Sequence, residues 1–157
     1  DQQGVRSLEL HADGSGAYDL WLEAPASKMM PRLTHEMLDA GKHYPAMNGK
    51  QVFRWAAEKM PEVALSVLKK AGMTIEEIDM FVPHQANMRI NQMVANKLGI
   101  PDSKVVHNIE RYGNTTAATI PIGLSESWRE GKIGTGSKVL MAAFGAGFTW
   151  GGAVAVL

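Results

Sequence analysis

The sequence contains no cysteine among its 157 residues. Disulfide bonds and cysteine-ligated zinc sites are therefore excluded for this chain, and a reducing compartment such as the cytoplasm is the natural expectation. No apolar run approaches the roughly 20 residues that a membrane-spanning helix needs. The first residues show neither a basic start nor an apolar stretch, so they predict no signal peptide. Since no initiator methionine precedes them, we expect the chain to begin partway through a longer polypeptide.

The sequence also has no net excess of positive or negative charge. Sixteen basic side chains balance sixteen acidic ones. The whole molecule therefore has no field that would gather nucleic acid, and we expect no such partner. No two of the histidines His11, His35, His43 and His107 stand at metal-ligand spacing on one predicted helix. We accordingly predict no metal site.

Three segments have the apolar spacing of helices. Apolar residues recur at a period close to 3.6 from residue 51 to 71, and similar spacing covers 87–98 and 115–129. Pro61 lies inside the first pattern, which predicts a kink or two abutting helices. The intervening segment 24–49 has no clean period, and we expect a long irregular excursion with a short helix near 33–38.

Short apolar segments between these helices predict strands. They cover residues 5–10, 17–22, 78–82, 104–109, 138–144 and 148–157. The last two are joined by Gly145-Ala146-Gly147, which is too short for a crossover, so they predict an antiparallel hairpin. This order predicts an α/β fold in which a mixed sheet is covered by helices.

Polar or glycine-rich residues follow three of the predicted strands, where ligands collect in α/β sheets. His84 lies between a strand and a helix, where imidazole can donate a hydrogen bond or move a proton. Asn114 precedes another helix. Each side chain has a plain alternative, because both residue types also cap helices. The glycine turn is either simple hairpin geometry or a set of backbone donors for an oxyanion.

Three longer strings carry a resemblance to a known family. They are VPHQANMRI at 82–90, NIERYGNTTAATIPIGL at 108–124 and AAFGAGFTWGGAVAV at 142–156. Together with MNGKQVFRWA at 47–56 and LELHADGSG at 8–16, they resemble beta-ketoacyl-acyl carrier protein synthase III over essentially the whole chain. The resemblance implies a thiolase-like fold, in which two similar halves related by a pseudo-twofold axis form five layers.

On this resemblance the chain corresponds to the carboxy-terminal half. Residues 1–46 would be the end of the amino-terminal half with a connecting or lid segment, and residues 47–157 the carboxy-terminal half itself. The family has a Cys-His-Asn triad, and His84 and Asn114 occupy its histidine and asparagine positions. The cysteine would belong to the amino-terminal half, which is thus an expected partner, and the whole enzyme is expected to be a homodimer.

The implied reaction is a decarboxylative condensation of acyl-CoA with malonyl-acyl carrier protein, at the start of fatty acid synthesis, without a further cofactor. His84 and Asn114 would stabilise the enolate that decarboxylation leaves. The resemblance also implies that the backbone amide of Ala146 donates a hydrogen bond to the oxyanion of the acyl-transfer step. Ala146 lies in the turn that includes Gly145 and Gly147. Phe144 would line the same cavity, with core packing as the alternative.

The resemblance also implies two binding surfaces. Gly49, Phe53, Ala86 and Asn87 match positions along the pantetheine arm of CoA, although the helical spacing of Phe53 equally predicts a core residue. Arg89, Arg54 and Lys97 would meet the acidic acyl carrier protein. Such basic side chains are otherwise ordinary solvated residues.

Other functions fit the same residues. One is a related condensing enzyme of secondary metabolism, or one that joins two long acyl chains or transfers acyl groups to oxygen or nitrogen. Another is a non-catalytic partner subunit, which would account most simply for the missing cysteine. Both His84 and Asn114 are present, and this favours decarboxylative condensation.

Overall fold

A computed structural model describes residues 3–157 of the chain. The strands are β1 (Gly4–Ala12), β2 (Leu20–Trp21), β3 (Ala46–Met47), β4 (Met80–Pro83), β5 (Lys138–Gly145) and β6 (Thr149–Val156). The α-helices are α1 (His35–Asp39), α2 (Gly49–Ala71), α3 (Met88–Leu98), α4 (Ile109–Tyr112) and α5 (Thr119–Arg129). Short 3-10 turns cover Gly14–Gly16, Asp102–Lys104 and Thr116–Ala118.

Four strands form one mixed sheet in the order β1-β6-β5-β4. Strands β4 and β5 are parallel, whereas β5 with β6 and β6 with β1 are antiparallel. The predicted mixed sheet and the β5–β6 hairpin are therefore confirmed. Strand β1 lies in the same sheet as the later strands. The two short strands β2 and β3 pair with each other separately.

The two faces of this sheet are covered unequally. On the face that we call the closed face, Phe81, Leu140 and Val154 are 0% exposed beneath α2 and α3. On the opposite, open face, α5 covers the sheet near Val82 and Val139. The pairing register places Leu8 of β1 on that same open face, where it is 58% exposed. The main core thus lies on one side of the sheet.

Helix α2 is continuous through Pro61, so of the two predicted alternatives the pair of abutting helices is wrong, and the kink stays a prediction. Proline has no N–H, and the carbonyl of Ala57, four residues earlier, therefore lacks its usual helical donor. The ammonium of Lys97 on α3 donates to that carbonyl at 2.8 Å. A side chain from the neighbouring helix thus supplies the hydrogen bond that Pro61 removes. Helix α2 ends at Gly72, whose φ of 65° is left-handed.

Two predicted strands differ from the structure: one is shorter than expected and the other does not form. The strand expected at 17–22 is reduced to Leu20–Trp21, because residues 14–16 form a 3-10 turn and β2 pairs with β3 rather than with β1. The strand expected at 104–109 is absent from the described structure. A single parallel bridge joins Val105 to Phe81 there, because a 3-10 turn and α4 occupy the flanking residues.

The helix expected at 115–129 begins only at Thr119. Residues 116–118 form a 3-10 turn, in which Thr116 has a φ of 54°. A β-branched residue rarely adopts this left-handed conformation, which is incompatible with an α-helix. No local pattern around residue 116 indicates this conformation.

The described residues contain no helix of the length and apolarity needed to cross a bilayer. Within residues 3–157, no cluster of three histidine, cysteine or acidic side chains is arranged to hold a metal ion.

Candidate active site

An open cleft of about 1210 Å³ lies where the ends of β4, β5 and β6 meet α2 and α3. Nine of the residues singled out in the sequence line it. They are Gly49, Phe53, His84, Ala86, Asn87, Asn114, Phe144, Gly145 and Ala146. Gly147 follows them in the same turn but does not line the cleft. Residues far apart in the chain are therefore brought to one cavity.

His84 is placed by the end of β4. Its backbone N–H donates to the carbonyl of Ala142 on β5 at 2.9 Å, which continues the parallel pairing by one residue. Its ring nitrogen Nδ1 lies 2.6 Å from the hydroxyl of Thr119 at the start of α5. Burial lowers the pKa of His84 below its ordinary value, so the imidazole is neutral near pH 7.

Gln85, the next residue, holds this strand end in place. It is completely buried, and its Nε2 donates to the carbonyls of Pro83 at 3.0 Å and Val106 at 2.9 Å. Its Oε1 accepts from the N–H of Asn108 at 3.2 Å. A single amide thus ties the segment that carries His84 to the segment that leads to Asn114.

Asn114 is exposed and its side-chain oxygen is engaged locally. Oδ1 accepts from the N–H of Thr116 at 2.9 Å. This bond forms a local turn just before the 3-10 turn, whose N-cap is Thr115, and Asn114 does not cap α5, whose N-cap is Ala118. Because this bond uses only the oxygen, the Nδ2 group remains as the donor that Asn114 offers to a ligand in the cleft.

The segment between Asn108 and Asn114 is held by Glu126 of α5. Its Oε2 accepts from Asn108 Nδ2 at 2.8 Å and from Arg111 at 3.1 Å, and its Oε1 accepts from the Tyr112 hydroxyl at 2.5 Å. These bonds, that of Tyr112 first, lower the pKa of the Glu126 carboxyl. The carboxylate therefore stays charged at neutral pH and anchors the loop.

The glycine turn has a buried base and an exposed tip. The ring of Phe144 packs against that of Phe148 with 4.9 Å between centroids, and both side chains are buried. Ala146 is exposed at the tip. Gly147 has a φ of 137°, which disfavours any side chain. Phe144 therefore meets both expectations, since it is a core residue and also lines the cleft.

A second, smaller groove of about 490 Å³ lies between α2 and α3. Phe53, Arg89 and Lys97 line it, whereas Arg54 lines neither cavity. Asn87 caps α3, because its Oδ1 accepts from the N–H of Arg89 at 2.9 Å. The carrier-protein and pantetheine roles of these residues stay predictions.

Several residues of the site were not found from the sequence. Thr119 contacts His84 from 35 positions away, and nothing local marks it. Asn91 lines the cleft with a buried side-chain amide whose nitrogen and oxygen find no hydrogen-bond partner among the described residues. Leu8 and Leu10 also line the cleft. Their alternation with polar residues indicated a half-buried strand but not which side it would face.

The family model for the carboxy-terminal domain of 3-oxoacyl-[acyl-carrier-protein (ACP)] synthase III matches residues 68–157. The chain belongs to this family. It is therefore a synthase III carboxy-terminal chain, as the sequence resemblance predicted.

Individual relatives agree with the synthase III assignment. A beta-ketoacyl-[acyl-carrier-protein] synthase III of Symbiobacterium thermophilum is 42% identical over 149 residues, which are 95% of this chain and 44% of the relative. The synthase III structure from Thermus thermophilus superimposes with a TM-score of 0.87 at 41% identity, covering 99% of this chain and 46% of that one. The corresponding structure from Aquifex aeolicus VF5 gives a TM-score of 0.86 at 38% identity, covering 100% and 46%.

These matches confirm the predicted thiolase-like fold class and the position of the chain within it. The chain spans a little under half the length of the synthase III relatives that it matches.

Proposed function

We propose that this chain is the carboxy-terminal half of a beta-ketoacyl-acyl carrier protein synthase III. Together with an amino-terminal half that bears a nucleophilic cysteine, it would condense an acyl group from acyl-CoA with malonyl-acyl carrier protein at the start of fatty acid synthesis. The observation that carries this proposal is the convergence of His84 and Asn114 on one cleft. Each of these side chains carries an N–H that can be donated to a ligand in the cleft.

The proposed chemistry has two stages. First, the cysteine thiolate attacks the acyl-CoA carbonyl, and CoA leaves as the acyl group becomes a thioester on the cysteine. Second, the malonyl thioester loses CO₂, and the electron pair left behind forms an enolate. The enolate carbon then attacks the acyl thioester, which forms the carbon–carbon bond and returns the cysteine as thiolate.

His84 and Asn114 act in the second stage. The enolate oxygen carries the charge that decarboxylation releases, and preorganised donors in a partly buried site stabilise such a charge. The neutral imidazole and the Asn114 amide supply one N–H each. The amide of Ala146, at the tip of the glycine turn, serves the oxyanion of the acyl-transfer stage.

The cleft and the neighbouring groove accommodate the substrates. Gly49, Phe53, Ala86 and Asn87 would hold the pantetheine arm along the wall formed by α2 and α3. Arg89, with Lys97 and Arg54, would meet the acidic carrier protein beside the smaller groove. The proposed substrates are acyl-CoA and malonyl-acyl carrier protein, and no other cofactor is invoked.

The open face supports the proposed amino-terminal partner. Leu8 and Leu10 are 58% and 76% exposed there, next to Met141 and Ala153 in the same cleft. A soluble protein rarely leaves a large contiguous apolar surface in water. The amino-terminal half would cover this surface and place its cysteine near His84, and the complete enzyme would act as a cytoplasmic homodimer.

The test begins with native isolation of the protein that carries this chain, through an affinity tag. It is incubated with acetyl-CoA and examined by denaturing mass spectrometry. We expect one acetyl group on a cysteine, either in a longer polypeptide that includes this sequence or in a co-purified chain. Addition of malonyl-acyl carrier protein should then release CO₂ and form a 3-ketoacyl product.

Two variants assign the second stage. His84→Ala and Asn114→Ala should each lower decarboxylation by about 10²–10³-fold, because each removes one donor, while acetylation of the cysteine persists. His107→Ala is the control. That histidine bonds to Asp102 at 2.9 Å outside the cleft. If no acetylated cysteine forms, the chain belongs to a non-catalytic subunit.

A further inference from the structure

We propose that Thr119 is a positioning residue that selects the tautomer of His84 with its proton on Nε2. Its hydroxyl would donate to Nδ1, so that the other ring nitrogen presents an N–H to the cleft. The use of that N–H in condensation rests on the proposed function above. The tautomer itself does not, and it can be measured separately.

The geometry leaves the Thr119 hydroxyl two acceptors for its one proton. Oγ1 lies 2.6 Å from His84 Nδ1 and 3.1 Å from the carbonyl of Thr116. That carbonyl already accepts the backbone N–H of Thr119. If the hydroxyl proton went to Thr116, Nδ1 would have to carry the imidazole proton and donate it to Oγ1.

The shorter contact and the needs of the two acceptors favour donation to Nδ1. The Thr116 carbonyl keeps a backbone donor in either case, whereas Thr119 is the hydrogen-bond partner that the described structure gives to Nδ1. Thr119 is only 2% exposed, so little water reaches this contact. A neutral imidazole has one N–H, and a lone pair at Nδ1 therefore places that N–H at Nε2.

The protonation state of His84 makes this choice matter. Burial is the cause that lowers its pKa, and the ring is therefore neutral near pH 7. A charged imidazolium would donate from both nitrogens whatever Thr119 did. A neutral ring with its proton on Nδ1 would instead turn a lone pair toward the cleft and repel an enolate oxygen.

The same short segment also orients the second donor. Thr116, with its left-handed φ of 54°, donates its N–H to Asn114 Oδ1 at 2.9 Å, which leaves the Asn114 Nδ2 group for the cleft. Residues 116–119 therefore supply a hydrogen-bond donor to Nδ1 of His84, from the Thr119 hydroxyl, and to Oδ1 of Asn114, from the Thr116 N–H. This arrangement gives the unusual conformation of Thr116 a function, since it directs its N–H at Asn114 and its carbonyl at Thr119.

The direct test is ¹⁵N NMR of this chain with labelled histidine, at a pH where His84 is neutral. A protonated ring nitrogen resonates well upfield of an unprotonated one, and His84→Asn identifies the signals. We expect the protonated nitrogen to be Nε2. In Thr119→Val, which keeps the shape and removes the hydroxyl, the Nε2–H fraction should fall, and Thr119→Ser should retain it.

Two results would overturn the proposal. One is a wild-type His84 with its proton on Nδ1, and the other is a Thr119→Val spectrum identical to that of the wild type. Either result leaves the condensation reaction to its own test. Conversely, an Nε2–H tautomer in a protein that does not condense would refute the proposed function and leave the role of Thr119 intact.

A kinetic readout in the complete enzyme distinguishes positioning from a merely structural role. Thr119→Val should lower kcat for condensation by about tenfold to a hundredfold, less than loss of the donor itself, with KM unchanged. Acetylation of the cysteine should continue, and Thr119→Ser should restore the rate. Equal losses of both stages, or no rescue by serine, would contradict the proposal.

Discussion

The closed and open faces of the main sheet differ in the polarity of the side chains that strand β1 contributes to each. On the closed face, apolar residues of β4, β5 and β6 lie beneath α2 and α3. Strand β1 presents Ser7, Glu9 and His11 on that face, as its register with β6 requires. On the open face the same strand presents Leu8 and Leu10, which remain exposed. Strand β1 therefore presents polar side chains toward the helices of the closed face and apolar side chains toward solvent on the open face.

The closed face is therefore a packed core, whereas the part of the open face formed by β1 leaves its apolar side chains exposed. The polar side chains of β1 are satisfied on the closed face, where the Ser7 hydroxyl donates to the carbonyl of Val67 at 2.6 Å. The apolar side chains of Leu8 and Leu10 instead remain 58% and 76% exposed. The sequence of β1 thus indicates a second layer over the open face, where the proposed active site would be completed.

The largest expected contrast comes from truncating one apolar residue on each face. Phe81→Ala removes a fully buried ring of the closed face and should lower the free energy of unfolding by about 3–5 kcal/mol. Leu8→Ala on the open face should change it by no more than about 0.5 kcal/mol, because the side chain is already largely in water. Urea unfolding of the isolated chain, followed by circular dichroism, measures both.

The contrast between the two faces would be contradicted if Phe81→Ala and Leu8→Ala lowered the free energy of unfolding by the same amount. A large cost for Leu8→Ala in the isolated chain would mean that the open face is packed in solution, for example against a second copy. Sedimentation of both variants provides the check, since such packing would depend on protein concentration.

A second prediction concerns the helix layer that closes the first face. Lys97→Met should lower the free energy of unfolding by about 1.5–3 kcal/mol, because it leaves the carbonyl of Ala57 without the charged donor that replaces the missing N–H of Pro61. Pro61→Ala restores a backbone N–H. We therefore expect Lys97→Met to cost much less in a Pro61→Ala background.

A double-mutant cycle with urea unfolding measures this coupling. Lys50→Met, at an exposed position near the start of α2, is the matched control and should have little effect. If Lys97→Met costs equally with and without Pro61, the lysine does not compensate for the proline. Its contribution would then come from packing of its aliphatic stem between the helices.

The elements that the sequence predicted well belong mainly to the closed face. Helices α2 and α3 have regular apolar spacing and end at Gly72 and Gly99, so local pattern and burial agree. The β5–β6 hairpin follows from its short turn. Predictions fail at 17–22, where β2 pairs with β3, and at 104–109 and 115–118, where one bridge to Phe81 and the left-handed Thr116 decide the structure. Such tertiary contacts leave no periodic signal.

The candidate site shows the same limit. His84 and Asn114 were predicted because both lie in recognisable strings, and the structure places both in the cleft. Thr119 lies in one of the same strings, but its role depends on the packing of α5 against the end of β4, which no spacing reveals. The side of the sheet that Leu8 and Leu10 face depends on the pairing register with β6, which sequence alternation alone does not give.

The smallest predicted effect is a pH dependence at the polar side of β1. Hydrogen bonds from Ser66, Lys70 and His11, the serine first, lower the pKa of Glu9 from 4.5 to about 2. Because the folded pKa lies below the unfolded one, Glu9 contributes its stability above about pH 4.5 and loses it as the pH falls toward 2. The contact between β1 and α2 should weaken over that interval, with no counterpart at Leu8 and Leu10.

Carbon-13 NMR of the Glu9 carboxyl should give a midpoint near 2, and Glu9→Gln should remove this contribution to acid unfolding. A midpoint near 4.5 would mean that the polar side of β1 is as loosely held as its apolar side.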